Sequence, residues 1–109
     1  MSSHLQHQII ARALEIISDA DHWTSVVVAR AADGTSCSCR DPSAVRFCAI
    51  GALFKAAVEL AGDDGVVQGF KAEKFVLAAN NRRYDTLPSI NDAEGHAVIV
   101  QMFERALAS

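Results

Sequence analysis

The run from Val45 to Ala61 constrains the fold more than any other stretch of this chain. It is the longest apolar segment, interrupted only by Arg46, Lys55 and Glu59. A helix this apolar is stable in water only if other elements cover most of its circumference. It is therefore expected at the centre, with the rest of the chain packed around it. Asp41-Pro42-Ser43 just before it reads as a cap, a first-turn proline and a helix opening. Gly62 and the acidic turn Asp63-Asp64-Gly65 stop it.

The flanking segments supply the cover. Leu5, Ile9, Ala13 and Ile16, with Ile10, Leu14 and Ile17 beside them, recur at helical spacing. Ser2 or Ser3 is expected to cap this first helix, and Ser18 to His22 to end it. A third helix is expected from about Val66 to Asn80, weakened by Gly69 and anchored by Phe70, Phe75, Val76 and Leu77. Asn80 to Asp85 is a polar loop, and Pro88 is expected to keep the chain extended. Asn91-Asp92-Ala93-Glu94 has capping-box character for a last helix that carries Val98, Ile99, Met102, Phe103, Ala106 and Leu107.

One stretch breaks the helical pattern. Trp23 to Arg30 holds Thr24, Val26, Val27 and Val28, a β-branched run of strand length. Asp33-Gly34 is a turn signal, and Thr35 to Cys39 completes a hairpin that must pack on helices to persist. The expected fold is mainly α: a four-helix compact domain with a small β-hairpin between helices 1 and 2. The strands do not alternate with helices, which argues against a doubly wound sheet.

With 109 residues the chain is expected to form a single domain, 1–109. Apolar residues make up 50% and charged residues 21%, a globular balance rather than a disordered one. A net charge of −3 argues against a general nucleic-acid binder, which needs a positive surface. No apolar run approaches the roughly 20 residues of a membrane span. The polar start, Met1 to Gln8, lacks the pattern of a secretion signal, so a cytoplasmic location is expected. Cys37, Cys39 and Cys48 are an odd number, read there as reduced thiols.

Four short segments, taken in order, carry a resemblance. They are Trp23, the Asp33-Gly34 turn, Arg46-Phe47-Cys48-Ala49-Ile50-Gly51-Ala52-Leu53 at the helix head, and Ile90-Asn91-Asp92. Together they resemble a family of small bacterial and phage proteins of unknown function. Members often carry Trp before the Asn-Asp pair, where this chain has Ser89-Ile90. The resemblance implies the architecture and draws attention to Cys48, Asn91 and Asp92, but it implies no activity.

At about 100° per residue, Cys48, Ala52, Lys55 and Glu59 share the most polar sector of the central helix. A thiol near a helix N-terminus can be activated by the dipole. As a nucleophile it would need a base, His96, and an orienting group, Asn91 or Asp92. The plainer reading is a buried cysteine acting as a small hydrophobe under the hairpin, with Asn91 and Asp92 as cap and first-turn acid. No metal site and no cofactor are expected. Cys37-Ser38-Cys39 has one intervening residue and no second pair, unlike the usual zinc spacing. His4 and His7 share a helix face and are read as solvated.

The loop residues Arg82, Arg83 and Tyr84 are the candidates for a partner contact. The plainer alternative is a solvated loop with Tyr84 tucked inward. The sequence thus favours a small binding or regulatory module acting through a protein partner, with a homodimer through the first or last helix in view. Its competitor is a small cysteine-dependent hydrolase or transferase using Cys48 and His96.

Overall fold

The structure is a computed structural model that describes the backbone of residues 2–109 and the side chains of residues 4–109. Its helices are α1 (Ser2–Ile17), α2 (Ala49–Ala61), α3 (Gly65–Ala79), α4 (Leu87–Glu94) and α5 (His96–Leu107). Between α1 and α2 lie three short strands, β1 (Ala29–Ala31), β2 (Ser36–Cys37) and β3 (Ala44–Phe47). The mainly α architecture expected from the sequence is the one observed. The expected cap at Ser2 or Ser3 lies outside the described side chains.

The central helix is where it should be. α2 packs against α1 and α3, and its buried residues run from Ala49 through Leu53 to Ala56 and Ala57. Four alanines and a glycine among them let neighbours approach closely. α1 contributes Ile9, Ile10, Ala13 and Ile17, and α5 contributes Ile99, Met102, Phe103 and Ala106. The aliphatic faces of α1 and α5, considered for a dimer, are thus used inside the core.

The structure corrects three boundaries. α2 begins at Ala49 rather than Val45, because Ala44–Phe47 is an edge strand of a three-stranded antiparallel sheet, ordered β2-β1-β3. Asp41 caps no helix. Its carboxylate accepts from the Ser43 amide and hydroxyl, the local turn that Asp makes when the chain reverses. The expected hairpin is present around Gly34 (φ +88°), with Ala29 opposite Cys37, but its strands are shorter than expected. Thr24 to Val28 is irregular, touching the sheet through Trp23 and Phe47.

The third correction concerns the end of the chain. Pro88 does not hold an extended segment. It sits in the first turn of α4, where its missing N–H costs nothing, and the Thr86 hydroxyl caps that helix by accepting from the Ser89 amide. The expected last helix is therefore two helices, separated by Gly95 at φ +91°. Asn91 and Asp92 lie inside α4 and are not the cap of α5.

Candidate functional site

Asn91 is fully buried, and a buried amide must find partners for its donors and acceptor. α4 is short and leans its inner face on the head of α2, so the Asn91 side chain reaches two other segments. Its Oδ1 accepts from the Trp23 indole at 2.8 Å and from the Ala49 amide at 2.9 Å. Its Nδ2 donates to the Thr24 carbonyl at 3.2 Å and to Asp92 Oδ1 at 3.1 Å. Every hydrogen-bonding direction of the amide is filled.

The Ala49 amide is one of the orphan donors at the start of α2. Asn91 therefore caps α2 from another helix. Cys48 completes the cap locally, its Sγ accepting from the Gly51 amide at 3.3 Å. The thiol is 4% exposed, and burial pushes its pKa up despite the backbone amides that favour the thiolate. The wheel placed Cys48 on a polar stripe. Only its far end is polar in the fold: Cys48 and Ala52 lie in the core, Lys55 is half-buried, and Glu59 is exposed and paired with Arg12.

Asp92 turns the other way, and its Oδ1 accepts from the Val26 amide at 2.8 Å. Val26 sits at φ +75°, a backbone region hostile to a β-branched residue, with its side chain exposed. The next contact is tighter still. Val28 O accepts from the Cys48 amide, and it lies so close to Gly51 that a Cβ there would fall well inside contact distance. Gly51 in the helix head is thus required by the chain that crosses it.

His96 does not join the thiol. Its Nε2 lies 2.6 Å from the Ile17 carbonyl, so that nitrogen carries the proton and ties α5 to the end of α1. Its ring also packs against Trp23, with centroids 5.7 Å apart. Of the four residues singled out, the structure joins Asn91 to Asp92 directly and to Cys48 through its neighbour Ala49. His96 reaches the cluster only through Trp23. Trp23, Thr24 and Gly51, which complete the junction, were not read as site residues from the sequence. A lone indole and a polar residue amid β-branched neighbours gave no hint of a partner so far away along the chain. His7, read as solvated, instead packs its ring edge-on against Phe75 at 5.1 Å.

The loop after α3 presents a different surface. Arg82 is held by Asp85 at 2.6 Å and by Glu94 at the end of α4. That pairing pushes the Glu94 carboxyl below its usual range and raises Arg82 further. Arg83 and Tyr84 are exposed, Tyr84 at 98%, so the expectation that it tucks inward is overturned. A groove of about 430 Å³ lies between Arg40, Lys55, Glu59 and Asp63, and another of about 360 Å³ between Lys74, Leu77, Ala78 and Arg83. Among the described residues no cluster of His, Cys, Asp and Glu is arranged to hold a metal ion.

The segments that carried the resemblance therefore meet at one junction, with the Asp33-Gly34 turn attached to it through Arg30, which bonds Gly34 O and the Thr24 hydroxyl. A family model, described as a family of unknown function (DUF6197), matches residues 1–109. The chain belongs to that family. No curated protein and no solved structure matches it. Among the described residues, no helix is long and apolar enough to cross a membrane.

Proposed function

We propose that the chain is a cytoplasmic, single-domain binding or regulatory module of bacterial or phage origin that works through a protein partner. One observation carries this reading. Val67 (51% exposed) and Tyr84 lay large apolar groups in water on or just after α3, with Arg83 beside Tyr84, and Phe70 stays half-exposed (49%) although it packs edge-on against Phe54. Exposed aromatic residues with an adjacent arginine have the composition of an interface anchor rather than of an ordinary surface.

The competing reading makes Cys48 a nucleophile with His96 as its base and Asn91 or Asp92 orienting it. The geometry gives it little support: the thiol faces Gly51, burial raises its pKa, and His96 donates to a carbonyl. Two measurements decide. A photo-crosslinking residue at Tyr84 is expected to give a discrete protein adduct in cells, and the same residue at Asp33 none. No adduct at position 84 would sink the reading. Mass spectrometry of alkylation is expected to find Cys48 protected until the protein unfolds. Fast labelling with a midpoint below the ordinary thiol range would favour the hydrolase instead.

The raised thiol pKa also fixes a sign. A folded-state pKa above the unfolded value means that Cys48 supports the fold below the unfolded thiol's pKa, and that this support is lost as pH rises toward the folded one. Stability is expected to fall in alkali, and Cys48→Ala to flatten that fall.

A further inference from the structure

The outward face of α3 sorts its charges. Val67, Lys71, Lys74 and Ala78 recur at helical spacing on one exposed stripe, with Phe70 at its border. The one carboxylate on this helix, Glu73, is turned aside to accept from the Leu87 amide at 2.9 Å. Lys71, Lys74 and Arg83 form no ion pair among the described residues, whereas Arg82 next door is fully engaged by Asp85 and Glu94. The groove between Lys74 and Arg83 has an apolar floor, Leu77 and Ala78, and cations at its rim. In a chain of net charge −3, a face with three free cations around apolar anchors is a local inversion of the protein's field.

We propose that this face docks an acidic amphipathic segment of a protein partner. An apolar side chain would fill the groove over Leu77, the segment would lie against Phe70 and Tyr84, and its carboxylates would meet Lys71, Lys74 and Arg83. The inference rests on the binding-module reading and names the chemistry of its partner. A nucleic acid would leave Val67, Phe70 and the groove floor without a match. It would also meet the repulsion of an acidic chain. Free cations at the rim of an apolar patch steer encounter and select partners by charge.

Fluorescence anisotropy tests it with a labelled peptide carrying Leu at helical spacing and Glu elsewhere, and with companions bearing Gln or Lys in place of Glu. The Glu peptide is expected to bind at least about tenfold tighter than the Gln peptide, and salt is expected to erode that difference. The triple reversal Lys71→Glu, Lys74→Glu, Arg83→Glu is expected to move the preference to the Lys peptide, its fold checked by circular dichroism. Equal binding of the Glu and Gln peptides, abolished by Phe70→Ala and Tyr84→Ala, would overturn the acidic partner and leave the binding module standing. If no peptide binds this face, the inference fails, and the module reading then stands or falls on the crosslinking at position 84. That holds whether or not a single-stranded oligonucleotide or a phosphatidylserine vesicle binds it instead.

Discussion

The junction around Asn91 and the outer face of α3 are both rich in residues that could do chemistry, and they treat those residues in opposite ways. At the junction the amide of Asn91, the indole of Trp23 and one carboxylate oxygen of Asp92 all have partners within the chain. On α3 and the loop after it, Lys71, Lys74 and Arg83 form no ion pair among the described residues, and Tyr84 touches almost nothing. A polar group whose bonds are all internal is accounted for by the fold. A large exposed group with no internal contact is not, and its reason lies outside the molecule. The eye-catching residues of the sequence belong to the first kind.

The comparison breaks first at Asn91. Asn91→Ala strands the Trp23 indole, the Ala49 amide and the Thr24 carbonyl in a buried place. Losing a connected buried network is expected to cost about 3 kcal/mol or more. Urea unfolding measures it. A loss below about 1 kcal/mol would mean that water or relaxation replaces the amide, and that the junction is not what holds α4 to α2.

Gly51 tests the same junction from the other side. Gly51→Ala drives a methyl into Val28 O, a backbone atom that cannot rotate away. Helix propensity alone would favour the alanine by about 1 kcal/mol. The clash is expected to reverse that sign and leave the variant about 2 kcal/mol less stable, within the usual range for overpacking. An alanine variant at least as stable as the parent would show that the Val28 chain is free to move.

How much of this was legible follows from what each signal measures. α1, α3 and the last helix carry long 3.6-residue periods, and the Asp33-Gly34 turn carries the φ its glycine adopts, so both were readable. β3 was not. Val45-Arg46-Phe47 alternates for only three residues before an apolar helix, too short a stretch for periodicity to separate a strand from a helix turn. Asp41-Pro42-Ser43 is equally good at opening a helix or closing a turn. α4 was missed because proline suits either an extended chain or a first turn, and only the Thr86 cap decides between them. Asn91 was singled out but misassigned. Its neighbours along the chain suggest a cap, and its true partners, Trp23 and Ala49, are supplied by the tertiary fold.

Val26 sharpens the comparison, because it belongs to the junction by its backbone and to the surface by its side chain. Asp92 holds its amide at a positive φ that a β-branched residue adopts at a cost. Val26→Asn keeps the amide and relieves the strain, since asparagine tolerates this region. Thermal unfolding is expected to show a gain of about 1 kcal/mol. No gain would mean that the exposed valine side chain contributes packing that offsets the strain.

The smallest expected effect is the most informative for function. Tyr84→Ala removes an aromatic side chain that is 98% exposed, and its stability is expected to stay within about 0.5 kcal/mol of the parent. Its effect should appear only in binding, as a loss of affinity for the acidic peptide at unchanged unfolding free energy. Asn91→Ala should do the reverse, lowering stability while the fraction that remains folded binds as before. If Tyr84→Ala destabilises the fold by more than about 1 kcal/mol, the aromatic is a structural residue and the division between the two regions dissolves. If it changes neither stability nor binding, the loop is an inert surface and the peptide contact belongs to Val67, Phe70 and the lysines of α3 alone.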